Sequence, residues 1–376
     1  MNLWRPCQAA EEHLLLLQAA LLAGSPALQA WQLWKSRVDL GSVDAPSLAL
    51  LPFLHRNLRA LGVEDANMGR LAGVARSTWA SNHLLYRAGA DALAILRGAG
   101  VDALVADGAA VLVLHHKEAG LRGLSNFDAL VRLADAAKAI DALSPAGWRM
   151  ETLRSPRDSV IAFRDAARFE DGSGQSLRLI WRLWAGDAAD AETKTWAASH
   201  EGTLENLSVR ALGPTDLLLR ACAGTERWGR ELSLLWVADG LAILRGAGGE
   251  IDWERFTKRA RRLGLSLPAA SALDCLRTAF GASVPAGIVE VLREAPTSMW
   301  ERAAWRTQAQ GRGGWPRLAV TLRRYDRLTR GQGIARRAIA FPRYLRCTWN
   351  LQSAWQTPVH AARRVAQEMR RAAIGK

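Results

Sequence analysis

Along the first 97 residues apolar side chains recur at three- and four-residue steps, as in Leu50, Leu51, Leu54, Leu58 and Leu61, which predicts a set of amphipathic helices. Turn residues at Gly41 to Pro46 and Gly62 to Asn67 punctuate them. An apolar run near the start, Leu14 to Leu17 with Ala19 to Ala23, could pass for a secretory leader. Only Arg5 supplies positive charge before it, Glu11 and Glu12 immediately precede it, and no small-residue cleavage site follows. A buried or amphipathic helix is the better reading.

From Val101 the period changes. Val101 to Ala106 reads as a short strand, Ala109 to His116 as a helix, and Phe127 to Leu133 as a second strand. Asp135 to Leu143 reads as a helix closed by Pro145 and Gly147. Trp148 to Leu153, Ser159 to Phe163 and Gln175 to Trp184 read as further strands. After Pro214 the helical period returns as far as Leu292, with Pro268 and Gly281 as breaks. The octapeptide LAILRGAG occurs at both Leu93–Gly100 and Leu241–Gly248. Its flanks do not match, so it reads twice as a helix end, with Arg in the last turn and Gly at the cap. The expected class is α+β: a small mixed-sheet core flanked by helical regions. The division along the chain is 1–97 helical, 98–210 core, 211–300 helical and 301–376 a C-terminal tail, itself helical.

A chain of 376 residues with 49% hydrophobic and 23% charged residues is long enough for more than one core, and its composition excludes wholesale disorder. Charge alters the picture more. Residues 301–376 hold 17 Lys/Arg against 3 Asp/Glu, which accounts for the entire net charge of +14, so the remainder is neutral. Among those arginines stand Trp305, Trp315, Tyr325, Phe341, Tyr344, Trp349 and Trp355. The leading expectation is a set of helices whose aromatics pack on the body while the arginines face water. Next comes an anionic membrane surface or a protein partner; nucleic acid ranks last. Four scattered cysteines (Cys7, Cys222, Cys275, Cys347) without a C-x-x-C pair exclude a disulfide scaffold and a cysteine zinc site, and fit a reducing compartment. The expected location is the cytoplasm, with a peripheral place at the inner membrane if the tail binds there.

The chemistry-bearing residues gather between 101 and 182. Asp107-Gly108-Ala109-Ala110-Val111 follows the first strand, and Gly120-Leu121-Arg122-Gly123-Leu124-Ser125-Asn126-Phe127-Asp128 runs into the second. Here the chain resembles the nucleotidyltransferase superfamily and, more closely, the broad bacterial family of uncharacterised nucleotidyltransferases. Members of that family read K-G-A-A-L and then G-L-R-P-M-S-D-L-D-L-L-V at the same interval. Leu179 to Leu183, Pro214 to Leu218, Leu235 to Asp239, Ile251 to Trp253, and the pair Leu51-Pro52 with Arg56-Asn57-Leu58 match further landmarks in order. The resemblance spans about residues 45–295.

The resemblance implies a transfer of a nucleoside monophosphate. Two Asp of D-x-D on one strand face, and a third on a neighbouring strand, would hold divalent metal against a triphosphate. Here Asn126 replaces the first Asp, Asp128 remains, and Arg178 stands where the third would be. Ile180 replaces a His and Asp107 a Lys. Asn126 offers a neutral oxygen and Arg178 only donors. The expectation is therefore a member with a depleted metal triad, Arg178 pairing with Asp128, which binds a nucleotide, a small molecule or a protein partner without metal or other cofactor. An active enzyme is the rival: Asp107 and Asp128 would supply the acids, Arg122 and Arg178 the phosphate charge, and Mg2+ would then be needed. A third reading is a surface adaptor acting through the basic tail.

Gly108, Arg122, Ser125 and Asp107 are the candidate nucleotide-binding residues. Gly108 opens a helix whose N-terminus could receive an anion, although Asp107 beside it would repel phosphate. Asp165, Glu170 and Asp171 are weaker candidates in what reads as an exposed loop. His115 and His116, adjacent on a helix, point in different directions and suit one metal poorly.

Overall fold

The computed structural model describes residues 10–151, 155–187, 189–223, 234–247, 249–299 and 316–353, with short pieces at 301–302, 305, 356–357, 359–360 and 362–363. Seven strands form one mixed sheet: β1 Ala103–Val105, β2 Phe127–Val131, β3 Arg149–Met150, β4 Ala166–Glu170, β5 Ser176–Ile180, β6 His200–Leu204 and β7 Leu207–Ala211. Their order is β3-β4-β5-β2-β1-β7-β6. β1 runs parallel to β7, with Val105 opposite Ala211, while β3/β4, β4/β5 and β6/β7 are antiparallel. The α+β class expected from sequence is the class observed.

The chain divides into two compact units that each draw on separate stretches of sequence: 1–87, 105–127 and 198–298 in the first, and 88–104, 128–197 and 299–376 in the second. In the first unit the helices Glu11–Leu21, Gly24–Arg37 and Leu51–Ala60 bury Leu16, Leu17, Trp31, Phe53 and Leu54. The helices Pro214–Ala223, Leu235–Ala247, Trp253–Leu263 and Ser266–Phe280 form a second apolar cluster. There Asp216 is buried against both Arg255 and Arg259, at 2.6 and 2.5 Å. Among the described residues no helix is long and apolar enough to cross a membrane.

β2, whose residues from Asp128 onward belong to the second unit, is buried at all five positions, as expected of a central strand covered on both faces. β4 alternates instead, with Ala167 and Phe169 inward and Arg168 and Glu170 outward. The helices Pro316–Leu328 and Ile334–Thr348 belong to this unit. Tyr325, Tyr344 and Leu345 form a small core with Phe163, Phe341 and Trp349. Tyr344 donates to the Thr321 carbonyl at 2.7 Å, and Arg164 donates to the Cys347 carbonyl at 3.1 Å. These tail aromatics pack, in line with the leading expectation; Trp315 and Trp355 lie outside the described residues.

Several local readings are corrected. Residues 159–163, read as a strand, lie in the helix Arg157–Phe163. A five-residue apolar run has no period of its own to decide, and Pro156 ahead of it with Asp158 in the first turn favours the helix. Pro268 does not break a helix; it sits in the first turn of Ser266–Phe280, where its missing N–H costs nothing, and the break is left-handed Gly264 at φ 60°. Residues 166–175 are not a loop but β4 and a tight turn, in which the Asp171 carboxylate accepts from the Ser173 and Gln175 amides. The strand expected over 148–153 is only Arg149–Met150, with 152–154 outside the described residues. The hairpin β6–β7 had no sequence counterpart. Cys222 and Cys347 are buried and not disulfide-bonded, whereas Cys275 is disulfide-bonded, which cysteines scattered without a C-x-x-C pair did not announce.

Candidate functional site

Asp128 lies on β2 with 5% of its surface exposed. A carboxylate so enclosed needs a charged or hydrogen-bonding partner, since an isolated buried charge is costly. That partner comes from β5, which neighbours β2 in the sheet. On β5 Leu177 and Leu179 point into the apolar layer, and Arg178 between them points the other way. Its Nε donates to Asp128 Oδ1 at 2.5 Å. Across β4 the opposite residue is Arg168, also cationic and exposed, so the pull on Arg178 is toward Asp128.

Asn126 immediately precedes β2, and Ser125 donates its hydroxyl to the Asn126 side-chain oxygen at 3.2 Å. The donor set at the motif is therefore one carboxylate already engaged by a guanidinium, one amide oxygen already accepting, and an arginine with nothing to give a metal. A magnesium ion, which takes hard and mostly anionic oxygens, does not fit these residues. Among the described residues no group of three or more His, Cys, Asp or Glu side chains could hold a metal ion.

The first motif block lies in the other unit. Asp107 follows β1 with a left-handed backbone, φ 47°, and opens the short helix Asp107–Val111. Arg220 holds its carboxylate through two donors: Nε reaches Oδ1 at 2.6 Å, and Nη2 contacts Oδ2. A Cβ at Gly108 would fall 2.1 Å from Arg122 Nη1 and 2.6 Å from its Cζ, so any other residue there would displace the guanidinium. The guanidinium of Arg122 thus lies against the Gly108 backbone. It is anchored bidentately to Asp239, at 2.8 and 2.9 Å, and Nη1 also donates to the Gly123 carbonyl.

His116 approaches the same carboxylate at 3.4 Å. Burial raises the Asp239 pKa, but the Arg122 charge and the hydrogen bonds from His116 and Arg122 outweigh it, and the group stays below the ordinary carboxylate value. The two histidines part company as expected. They belong to a π-helical turn, Leu112–His116, closed by Lys117 at φ 58°. His116 faces Asp239 and the Phe53 ring, whereas His115 Nε2 is buried and meets no hydrogen-bond partner among the described residues.

One residue that the sequence reading missed shapes the Gly120–Ser125 loop. Asn82, fully buried on the helix Met68–Gly98, donates to the carbonyls of Ala119 and Arg122 at 2.5 and 2.8 Å and accepts from the Leu124 amide at 3.0 Å. A single amide thus clamps three backbone groups of the loop that carries Arg122. The only hint in the sequence is an Asn at a core-facing helical position. Of the weaker candidates, Asp165 pairs with Arg324 at 2.9 Å, Glu170 is exposed at the end of β4, and Asp171 serves its own turn.

The structure thus brings Arg178 to Asp128, and separately Arg220 to Asp107 and Arg122 to Asp239. A mixed sheet carrying a Gly turn after its first strand and an acid on its second is the frame of a nucleotidyltransferase-like protein. Residues 45–281 match the family described as uncharacterised nucleotidyltransferases, and the chain belongs to that family. A solved structure of an antigenic nucleotidyltransferase-like protein from Paracoccidioides brasiliensis is similar at 11% identity, covering 58% of this chain and 94% of that one, with a TM-score of 0.34. No curated protein matches the sequence.

Proposed function

We propose that this chain is a nucleotidyltransferase-fold protein with a depleted metal triad, a non-catalytic or altered member that binds a nucleotide, a related small molecule or a protein partner. The observation that carries the reading is the Arg178 guanidinium on Asp128. It places fixed positive charge where the family's chemistry calls for a dication, and it occupies the one retained carboxylate. The rival reading, an active transferase drawing on Asp107 and Asp128 with Arg122 and Arg178, is disfavoured because each of these four groups already has an oppositely charged partner. A nucleotide phosphate would have to compete with Asp128 for Arg178, or with Asp239 for Arg122.

Calorimetric titration of nucleoside triphosphates with and without Mg2+, followed by a pyrophosphate-release assay, tests the proposal. The expected result is nucleotide affinity indifferent to Mg2+ and no pyrophosphate. Mg2+-dependent pyrophosphate release that disappears in Asp128→Ala would overturn it in favour of the active enzyme.

A further inference from the structure

The helix Ile334–Thr348 has two apolar faces, and among the described residues only one is covered. Tyr344, Leu345 and Cys347 are buried in the second unit's small core. On the other side Ala335, Ala338, Ile339 and Pro342 stand at i, i+3, i+4 and i+7, a continuous helical stripe, and all four are exposed. Ile339 is 67% exposed, and Ile334 at the start of the helix is 87% exposed. Arg336 and Arg343 are exposed along the edge of this stripe, with Arg346 half-buried at its end, and no Asp or Glu occurs between 334 and 348. The nearest described acid in sequence, Asp326, is engaged by Arg337 and Arg330.

We infer that this outward face is a docking surface for an anionic membrane. A core-packing helix does not need isoleucines on its solvated side, and a helix that only needs solubility does not line such a stripe with arginines along one edge. An apolar stripe bordered by cations is what an interfacial helix presents: the aliphatic groups enter the acyl boundary while the guanidinium groups stay among anionic headgroups. Charge selects this occupant over a second copy of the chain, which would bring the same arginines and a net +14 against them. Pro342, lacking an N–H, cannot donate to the Ala338 carbonyl, a loss that a wet interface tolerates. The inference is independent of the nucleotide reading, since it uses none of the motif residues.

The test is co-sedimentation of the full-length protein with vesicles of pure phosphatidylcholine and of phosphatidylcholine containing phosphatidylglycerol, in rising salt. Binding is expected only to the anionic vesicles and should fall as salt rises. Arg336→Ser and Arg343→Ser should each weaken it roughly five-fold. Ile339→Asp should weaken it about ten-fold or more with an unchanged thermal melt, because the side chain touches no core. Equal binding to neutral vesicles, or undiminished binding by Ile339→Asp, would overturn the inference. So would absence of vesicle binding alongside tight, arginine-dependent binding of a single-stranded RNA probe, which would make the face a nucleic-acid surface.

Discussion

Of the three arginine–aspartate pairs at the motifs of this chain, Arg122–Asp239 and Arg178–Asp128 have opposite relations to the family pattern. Arg122 and Asp239 both occupy positions where the sequence keeps the family's landmarks, G-L-R in one and the L-W-V-A-D stretch in the other. Their bidentate contact ties the motif loop to the helix Leu235–Ala247 within one unit. Arg178 and Asp128 pair one replaced residue with one retained residue. The first pair joins two landmarks that match the family pattern; in the second, an internal ion pair joins the motif-strand acid to a residue that departs from it. Different residues thus carry the two tasks: one pair holds the motif loop to the scaffold, and the other lies on the motif strand itself. The buried Asp216 with Arg255 and Arg259 shows that arginine on a buried carboxylate is also ordinary structural practice in this protein. What sets Asp128 apart is its place on the motif strand, not the contact itself.

The comparison is tested most severely at Asp239. If its pair is the scaffold's, Asp239→Ala should leave the part-buried Arg122 without its counter-charge and destabilise the protein by about 3–5 kcal/mol, read by chemical denaturation. Arg122→Ala should approach the same loss. A cost under about 1 kcal/mol for either would remove the distinction between the two pairs.

Asp128→Ala and Arg178→Ala come next, at about 2–3 kcal/mol each, because Arg178 retains some contact with water, its side chain 23% exposed. The double substitution should cost less than the sum of the two, since groups in direct contact are coupled. Additive costs would mean that the pair does not exist in solution.

The third test rebuilds the missing acids. Asn126→Asp together with Arg178→Asp should lower stability in the absence of metal, as carboxylates are crowded without a counter-charge. Mg2+ should then restore it, by about 2.7 kcal/mol at a hundred-fold excess over its dissociation constant. The original chain should show no such gain. A rebuilt triad whose melting temperature ignores Mg2+ would show that the position of Arg178 is not the family's metal position.

How far the sequence alone could reach is visible in these same residues. Asp128 and Arg178 were legible, because period-two alternation and a motif register place them on strands whose neighbours can be guessed. The partner of Arg122 was not. Asp239 lies 117 residues away, and nothing local announces which carboxylate a guanidinium will meet. The same holds for Arg220 on Asp107, and for Asn82, whose role consists of three backbone contacts made across the fold. Arg122 and Asp107 were read as ligand-facing without any sign of the internal partners, Asp239 and Arg220, that the structure gives them. Residues 157–163 and the hairpin β6–β7 escaped for a different reason: short segments carry too few residues to display a period.

The smallest expected effect concerns pH and separates the pairs by their neighbours. His115 stands beside the Arg122–Asp239 side of the molecule, and burial, followed by the charges of His116, His200 and Lys117, pushes its pKa down to about 4. Its ordinary value is 6.5, so between pH 6.5 and 4 the unfolded chain takes up a proton that the folded chain refuses. The stability due to a neutral His115 is therefore fully present above pH 6.5 and is lost as pH falls toward 4. Asp239, held below its ordinary value of 3.8, adds a loss of the same sign that begins only as pH approaches 4 and develops mainly below this window. His55, also lowered by burial and by Arg59, contributes a loss of the same sign, so the measurement must be a difference between variants. Denaturation midpoints at pH 7 and pH 4.5 should show that His115→Gln loses less stability on acidification than the original chain, by about 1–2 kcal/mol once solvent screening is allowed for. Asp128→Ala should keep the original pH dependence, since its pair has no histidine of this kind beside it. An unchanged slope in His115→Gln would mean that the imidazole is not held neutral against the π-helical turn, and that the environment beside Asp239 is wetter than the structure depicts.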